Sequence, residues 1–156
     1  MTEKPASRLI DEQIRELAGW SAGMTALRFV AGMALGCVTW WLVQTGAFSL
    51  LRVAWPDYAL AEPDKAYTLA MMLARLIIFS TMIAATAGVA ALVAGERRVA
   101  WIAGGLILAL SIPPHLYPGY VWDDYPAWYH IVYLLSILPL AVFGGRLARP
   151  GLGGLS

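Results

Sequence analysis

The sequence carries little charge and almost no cysteine. Only 13% of its 156 residues are Asp, Glu, Lys or Arg, against about 25% in soluble domains, whereas 60% are hydrophobic. The one cysteine, Cys37, excludes an internal disulfide and a thiolate metal cage. The net charge is +1 and no run of unpaired Lys and Arg occurs, which argues against a nucleic-acid partner. The composition instead predicts a protein surrounded by a lipid bilayer.

Short motifs that mark common active sites are also lacking. The chain contains no phosphate loop, no H-E-x-x-H zinc motif and no G-x-G-x-x-G dinucleotide loop. We therefore expect no catalysis and no cofactor. The chain resembles small four-span membrane proteins only in its general outline, and such a likeness does not indicate a function.

Four apolar runs are long enough to cross about 30 Å of hydrocarbon, which takes about 20 helical residues. The pattern predicts spans over about 24–44, 69–94, 99–117 and 127–146, joined outside by loops 45–68 and 118–126. We expect an all-α integral membrane protein, with the four transmembrane helices in an antiparallel bundle that forms a single membrane domain over 1–156. In the third span, Pro113 and Pro114 predict a disturbed helix that ends in irregular backbone.

A short amphipathic helix is predicted over 7–19, before the first span. Ile10, Ile14 and Leu17 recur at helical spacing among charged residues, and Gly19 stands where a helix commonly stops. We expect this helix to lie on the membrane surface; a frayed, solvated tail is the alternative.

The distribution of cations predicts the orientation. If the termini are cytoplasmic, eight Lys and Arg lie inside and three outside; the inner set is Lys4, Arg8, Arg15, Arg28, Arg97, Arg98, Arg146 and Arg149, and the outer set is Arg52, Lys65 and Arg75. Because cytoplasmic loops carry the excess of Lys and Arg, both termini are expected in the cytoplasm of a bacterial inner-membrane protein.

Small residues in the first two spans predict close helix packing. Gly32 and Gly36 form a G-x-x-x-G step, and the second span carries a small-residue ridge formed by Ser80, Ala84 and Gly88. We expect these residues to pack the two spans together within one chain. A homodimer or a membrane-protein partner is the alternative.

Two similar motifs stand in the outer loops. Trp55-Pro56-Asp57-Tyr58 follows the first span and Trp122-Asp123-Asp124-Tyr125 follows the third, so both read Trp-x-Asp-Tyr. The match is either an internal duplication of a helix hairpin or a chance product of aromatic-rich interfacial loops.

The outer mouth is the expected functional surface, because aromatic, cationic and anionic side chains gather there in the sequence. The candidate ligand-binding residues are Trp55, Tyr58, Arg75, His115, Tyr117, Trp122, Asp123, Asp124, Trp128 and His130. Two imidazoles with Asp123 or Asp124 are ligand types for a divalent metal, although interfacial anchoring explains the same residues. Arg75 is expected either to snorkel to headgroups or to pair with Asp57, Asp123 or Asp124.

These observations predict a small non-catalytic membrane protein that acts as an accessory or interaction subunit of a larger complex. Its partners would be the lipid bilayer and a membrane protein or further copies of itself. The alternative is a site for a metal, a quinone-like ring or a lipid at the outer mouth. A third possibility, a transporter or channel component, requires oligomerisation.

Overall fold

All regular structure in the described part of the chain is helical. The computed structural model describes the backbone of residues 6–148 and the side chains of 19 and 21–148. Within that range the elements are α1 (Ala6–Ala54), α2 (Pro56–Ala61), α3 (Leu69–Ala94), α4 (Arg98–Leu116), a 3₁₀ turn (Trp122–Asp124) and α5 (Ala127–Leu147). The all-α prediction is confirmed for these residues.

Four of the helical segments are long and apolar enough to cross a membrane. They are Ser21–Ala54 within α1, then Leu69–Ala94, Arg98–Leu116 and Ala127–Leu147. By length and composition the chain therefore fits a multi-pass membrane protein. α3 lies at the centre of the fold, where it contacts α1, α4 and α5.

The first helix differs from its prediction at both ends. α1 runs without a break through Gly19, so no separate surface helix ends there. A glycine inside a helix costs only about 1 kcal/mol, which the apolar turns on its C-terminal side offset. At the other end α1 continues to Ala54. The first proline after it is Pro56, and Trp55 before that proline leaves the helical conformation, with φ −135° and ψ 86°. The expected outer loop 45–68 is thus shortened and itself contains α2.

The double proline does not end α4. Pro113 and Pro114 lie inside the last turns of this helix, which continues to Leu116. There the amide of Tyr117 donates to the Pro113 carbonyl at 3.1 Å and the amide of Val121 donates to the Pro114 carbonyl at 3.2 Å. The prolines still lack amide hydrogens, so the carbonyls of Ala109 and Leu110 lose their usual helical donors.

Small residues let α1 approach α3 closely. A Cβ placed on Gly32 would lie 2.5 Å from the Ala90 carbonyl oxygen, and one on Gly36 would lie 3.2 Å from the Thr86 carbonyl oxygen. Both glycines therefore sit directly on the backbone of α3, where no larger side chain fits without a shift.

The small-residue ridge of α3 serves a different helix from the one expected. Ala84 and Gly88 contact Gly144 of α5 rather than the glycines of α1; a Cβ on Gly144 would collide with the Ala84 carbonyl. Because α3 carries small residues on the sides that face α1 and α5, both helices come close to its backbone. This packing places the start of α3, with Arg75, between the two connecting segments.

Candidate functional site

The connecting segments 55–68 and 117–126 meet beside the start of α3. Lys65 in the first segment pairs with Asp124 in the second, with 2.6 Å between Nζ and Oδ2. Lys65 has a left-handed backbone, with a φ of 55°, which is uncommon for a residue other than glycine. The Lys65–Asp124 pair holds the two segments together around the side chain of Arg75.

Arg75 is surrounded by aromatic rings. Its guanidinium donates hydrogen bonds to the hydroxyl of Tyr58 and, at 3.2 Å, to that of Tyr67. It also lies 4.9 Å from the ring centre of Phe48 and 4.8 Å from that of Tyr67, within the range of cation–π attraction. The side chain is only 14% exposed, so this arginine is packed inside the protein.

The carboxylate closest to Arg75 differs from those expected. Glu62 Oε1 lies 4.0 Å from Arg75 Nη1, whereas Asp123 and Asp124 have other partners. Glu62 itself is bound bidentately by Arg52, at 2.5 Å from Nε and 2.9 Å from Nη2. The hydrogen bonds from Arg52 hold the pKa of Glu62 below its ordinary value. Glu62 therefore stays ionised and its charge is shared between two arginines.

Four tyrosines form a stacked row beside Arg75, which we call the tyrosine row: Tyr58, Tyr67, Tyr125 and Tyr129. Successive ring centres lie 5.6, 5.7 and 4.5 Å apart, with interplanar angles of 26°, 5° and 15°. Burial raises the pKa of Tyr58 to about 12, although Arg75 opposes this shift, and burial also raises the pKa of Tyr125. The phenols of these two residues are therefore neutral at physiological pH.

Arg75 has no carboxylate of its own. Its nearest carboxylate, Glu62, is already bound by Arg52, and Lys65 is paired with Asp124. The connecting segments also carry Asp57, Asp64 and Asp123, so this end as a whole is not positive, and any attraction for an anion is local to Arg75.

A cavity of about 360 Å³ opens beside Arg75, and we call it the arginine cavity. Tyr67, Phe79, Tyr125 and Tyr129 form its aromatic wall, and Glu62, Lys65, Arg75, Asp124 and His115 contribute its charged and polar groups. Two buried donors in this wall, Arg75 Nε and the Tyr129 hydroxyl, make no hydrogen bond of regular geometry with the described residues, although the two side chains lie next to each other. Both atoms are shielded from solvent, so a ligand in the cavity would reach them through a small movement of the side chains.

The two histidines come together beside this cavity. Their ring centres are 5.3 Å apart; His115 stacks on Tyr133 and His130 stacks on Trp122. His115 Nδ1 lies 3.0 Å from the Ser111 carbonyl and His130 Nε2 lies 3.2 Å from the Tyr125 carbonyl. Since a carbonyl only accepts, these two nitrogens carry the hydrogens.

The aspartates considered as further metal ligands have other roles. Asp123 accepts a hydrogen bond from the Gly119 amide at 2.8 Å, and Asp124 is paired with Lys65. Among the residues whose side chains are described, no three His, Cys, Asp or Glu gather as a group that could hold a metal ion.

The predicted site residues fall into three groups in the structure. Arg75, His115 and Asp124 line the arginine cavity. The second group contacts that lining through rings or hydrogen bonds and consists of Tyr58, Trp128 and His130. Trp55 packs on Tyr58 and Trp122 stacks on His130, whereas Tyr117 is 62% exposed and Asp123 caps a turn, so these four lie apart from the cavity wall.

Sequence reasoning missed most of the aromatic wall. Tyr125 ends the second Trp-x-Asp-Tyr motif and Tyr129 follows one helical turn later, so this spacing was the available signal for both. Tyr58 and Tyr125 end the two matching motifs. The Tyr58 hydroxyl accepts a hydrogen bond from Arg75, and the Tyr125 ring lies against the Arg75 guanidinium. The motifs thus contribute equivalent residues to one site.

One further sequence pattern lacks the geometry of an active site. Residues 19–23 read G-W-S-A-G and match the spacing of a hydrolase nucleophile elbow. They lie within the continuous helix α1, whereas such a serine requires a sharp strand-to-helix turn.

Comparison with known proteins adds no relative. No protein-family model, no curated protein and no solved structure matches the chain.

Proposed function

We propose that this chain is a non-catalytic multi-pass membrane protein whose arginine cavity binds one anionic group of a lipid or small molecule. The observation that carries the proposal is the pair of buried donors, Arg75 Nε and the Tyr129 hydroxyl, that lack partners in the cavity wall. Buried donors without acceptors cost about 1–3 kcal/mol each, and an anion that displaces these side chains slightly would accept hydrogen bonds from both.

The chemistry of the wall favours a carboxylate or a phosphate. An arginine presents several donors in one plane, which suits the oxygens of these groups. The aromatic wall suits the apolar part of such a ligand, and about 360 Å³ lies within the usual size range of small-molecule sites. Glu62 and Asp124 also line the cavity but are engaged by Arg52 and Lys65, which leaves Arg75 as the group that would face an anion.

The proposal includes an orientation. We place the four apolar helices in an antiparallel bundle in a bacterial inner membrane, with both termini in the cytoplasm. The turn at Arg97 and Arg98 then faces inward, as the excess of Lys and Arg at that end favours. The arginine cavity would open on the outer side, where lipid headgroups and external solutes have access.

Native mass spectrometry of the purified full chain tests the anion site. Detergent-solubilised protein is exposed to phosphatidylglycerol, to phosphatidylcholine, and to inorganic phosphate and acetate alone. We expect phosphatidylglycerol adducts to be retained in preference to phosphatidylcholine. Retention of free phosphate as well would indicate that the anion suffices, whereas lipid adducts alone would indicate a headgroup site.

Variants locate the binding. Tyr129→Phe keeps the buried ring and removes one donor, so affinity should fall about tenfold, as expected for a hydrogen bond to a charged group. Arg75→Gln should abolish the preference for anionic lipid. Arg98→Gln, an exposed arginine at the other end of the bundle, is the matched control and should bind as the wild type. Equal retention by wild type, Tyr129→Phe and Arg75→Gln would overturn the proposal.

An accessory-subunit role is the second candidate, and α1 favours it. At about 1.5 Å per residue this 49-residue helix is about 74 Å long, more than twice the hydrocarbon thickness. Its large apolar side chains, including Leu27, Trp41 and Val53, are exposed and offer a surface to another membrane helix. The same spectra decide this candidate: protein masses above one chain support it, and a single chain under gentle detergent conditions argues against it.

A further inference from the structure

A second cavity lies on the side of the bundle between α1 and α4. Both helices pack on α3 but contact each other only sparsely, which leaves a gap of about 340 Å³ that we call the lateral crevice. Cys37 and Trp40 line it from α1, Thr86 from α3, and Leu110, Pro114 and His115 from α4. Because Cys37 and Leu110 lie in segments apolar enough to span a membrane, the crevice is placed to receive molecules dissolved in lipid.

Thr86 brings an unpartnered hydroxyl to this crevice. The residue is 6% exposed, and its Oγ1 has no hydrogen-bond partner among the described residues. Other threonines in these helices donate to the carbonyl four residues earlier: Thr39 to Leu35 at 2.8 Å and Thr81 to Ile77 at 3.0 Å. Thr86 makes no such bond, so the hydrogen-bonding capacity of its buried hydroxyl is unused.

The wall formed by α4 contributes acceptors. Pro114 has no amide hydrogen, so the Leu110 carbonyl lacks the donor that a regular helix would provide. His115 uses its Nδ1 hydrogen on the Ser111 carbonyl, so its Nε2 is an acceptor when the ring is neutral. An apolar crevice thus contains a small set of hydrogen-bonding groups without protein partners, which is the usual pattern of a ligand site.

We propose that the lateral crevice binds a lipid-soluble molecule with a hydroxyl on an aromatic ring, a phenol or a quinol. The hydroxyl would exchange a hydrogen bond with Thr86 while the ring lies on Trp40, and in a quinol the second hydroxyl would be directed toward the Leu110 carbonyl and His115 of α4. A plain acyl chain would leave these polar groups unsatisfied, and a charged headgroup would lose its hydration in an apolar wall. This ligand is uncharged and enters from the lipid, so the inference does not depend on the proposed anion site.

Cys37 is a natural reporter for this site, because it lines the crevice and is the one cysteine of the chain. The full chain in lipid nanodiscs is treated with N-ethylmaleimide, and alkylation is followed by intact mass. The probes are 4-decylphenol and its methyl ether, 4-decylanisole, which keeps the shape but lacks the hydroxyl hydrogen. We expect the phenol to slow alkylation and the ether to need about a tenfold higher concentration for the same effect, the equivalent of one hydrogen bond.

Matched variants assign the effect to the crevice. Thr86→Val keeps the side-chain volume and should weaken protection by the phenol several-fold, whereas Thr39→Val, whose hydroxyl bonds its own helix, should not change it. Arg75→Gln should also leave protection unchanged, which separates this test from that of the anion site. Equal protection by phenol and ether in the wild type would overturn the proposal, as would no protection at all. A Thr86→Val chain with wild-type protection would also count against it.

Discussion

At the scale of single residues, Arg75 is held mainly by phenols. Tyr58 and Tyr67 accept its hydrogen bonds, and aromatic rings lie against its guanidinium. The nearest carboxylate, that of Glu62, is 4.0 Å away and is already bound by Arg52. Tyrosines compensate a cation less completely than a carboxylate does, because they supply only partial charges. The Arg75 guanidinium therefore keeps a local positive character, on which the proposed anion binding rests.

The raised tyrosine pKa values predict a loss of stability in alkali. Below pH 10 Tyr58 is protonated in both the folded and the unfolded chain. Between pH 10 and about 12 the unfolded phenol loses its proton while the buried one keeps it, so the unfolded state gains stability and folding weakens. We expect the thermal unfolding midpoint in detergent to fall across this interval. Tyr58→Phe should reduce the fall.

Tyr120 provides the control for the alkaline prediction. It is 67% exposed, so Tyr120→Phe should leave the pH dependence unchanged. Tyrosinate absorbance, followed in parallel, should show a late-titrating phase in the wild type whose amplitude is smaller by one tyrosine in Tyr58→Phe, because Tyr125 still contributes to it. A Tyr58→Phe chain that loses stability in alkali as steeply as the wild type would contradict the assignment.

At the scale of elements, the helices are joined by backbone contacts between small residues. Gly32 and Gly36 bring α1 onto α3, and Gly144 brings α5 onto the other side of α3. Lipid is as apolar as the side chains, so helix association in a membrane depends on such close packing rather than on the hydrophobic effect. By contrast, the exposed Lys65–Asp124 pair that joins the connecting segments contributes about 0–1 kcal/mol.

Gly144→Ala should destabilise the protein, because the added methyl group would collide with the Ala84 carbonyl, a backbone atom that cannot rotate away. We expect a loss of about 1–3 kcal/mol, the usual cost of overpacking. Unfolding in detergent, followed by circular dichroism, measures it. Gly105→Ala is the matched control, since a Cβ there meets nothing within 4 Å and the better helix former should be neutral or stabilising. Equal stability of the two variants would show that α5 packs differently.

At the scale of the whole molecule, the two ends of the bundle have different chemistry. The end with Arg75 carries the tyrosine row, the cavity and the paired charges, whereas the α3–α4 turn at the other end carries Arg97 and Arg98. The proposed orientation assigns these ends to opposite sides of the membrane. The function of the arginine cavity depends on this assignment, because it decides which ligands reach it.

Cysteine labelling tests the orientation. In a chain with Cys37→Ser, the substitutions Asp64→Cys and Glu96→Cys place one thiol at each end, both at exposed positions. We expect a membrane-impermeant maleimide to label Asp64→Cys in intact cells and Glu96→Cys only after permeabilisation. The reverse pattern would invert the topology, and labelling of both in intact cells would contradict a membrane-spanning bundle.

Composition alone was enough to predict the helical class and the four long apolar segments. Charged groups and unpaired backbone groups both have a high free energy in hydrocarbon. A chain with 60% hydrophobic residues and four long apolar runs is therefore expected to form helices, which pair their own backbone groups. Helix ends were less predictable. Gly19 and Pro113 are unfavourable inside helices in isolation, but continuous hydrogen bonding on both sides or a position near the helix end outweighs the local preference.

The partners of each residue were decided by tertiary structure. The sequence marked Arg75, His115 and His130 as chemically unusual, because ionisable groups are rare in apolar segments. It did not indicate that Arg75 would bond to tyrosine hydroxyls and lie nearest to Glu62 instead of the aspartates. Nor did it indicate that Ala84 would face α5 rather than α1. Those choices depend on how far each helix extends and on which side it approaches α3, and both follow from contacts between segments distant in the chain. Local sequence sets which segments are apolar enough to cross a membrane, whereas the packing of the whole bundle sets which of their residues meet.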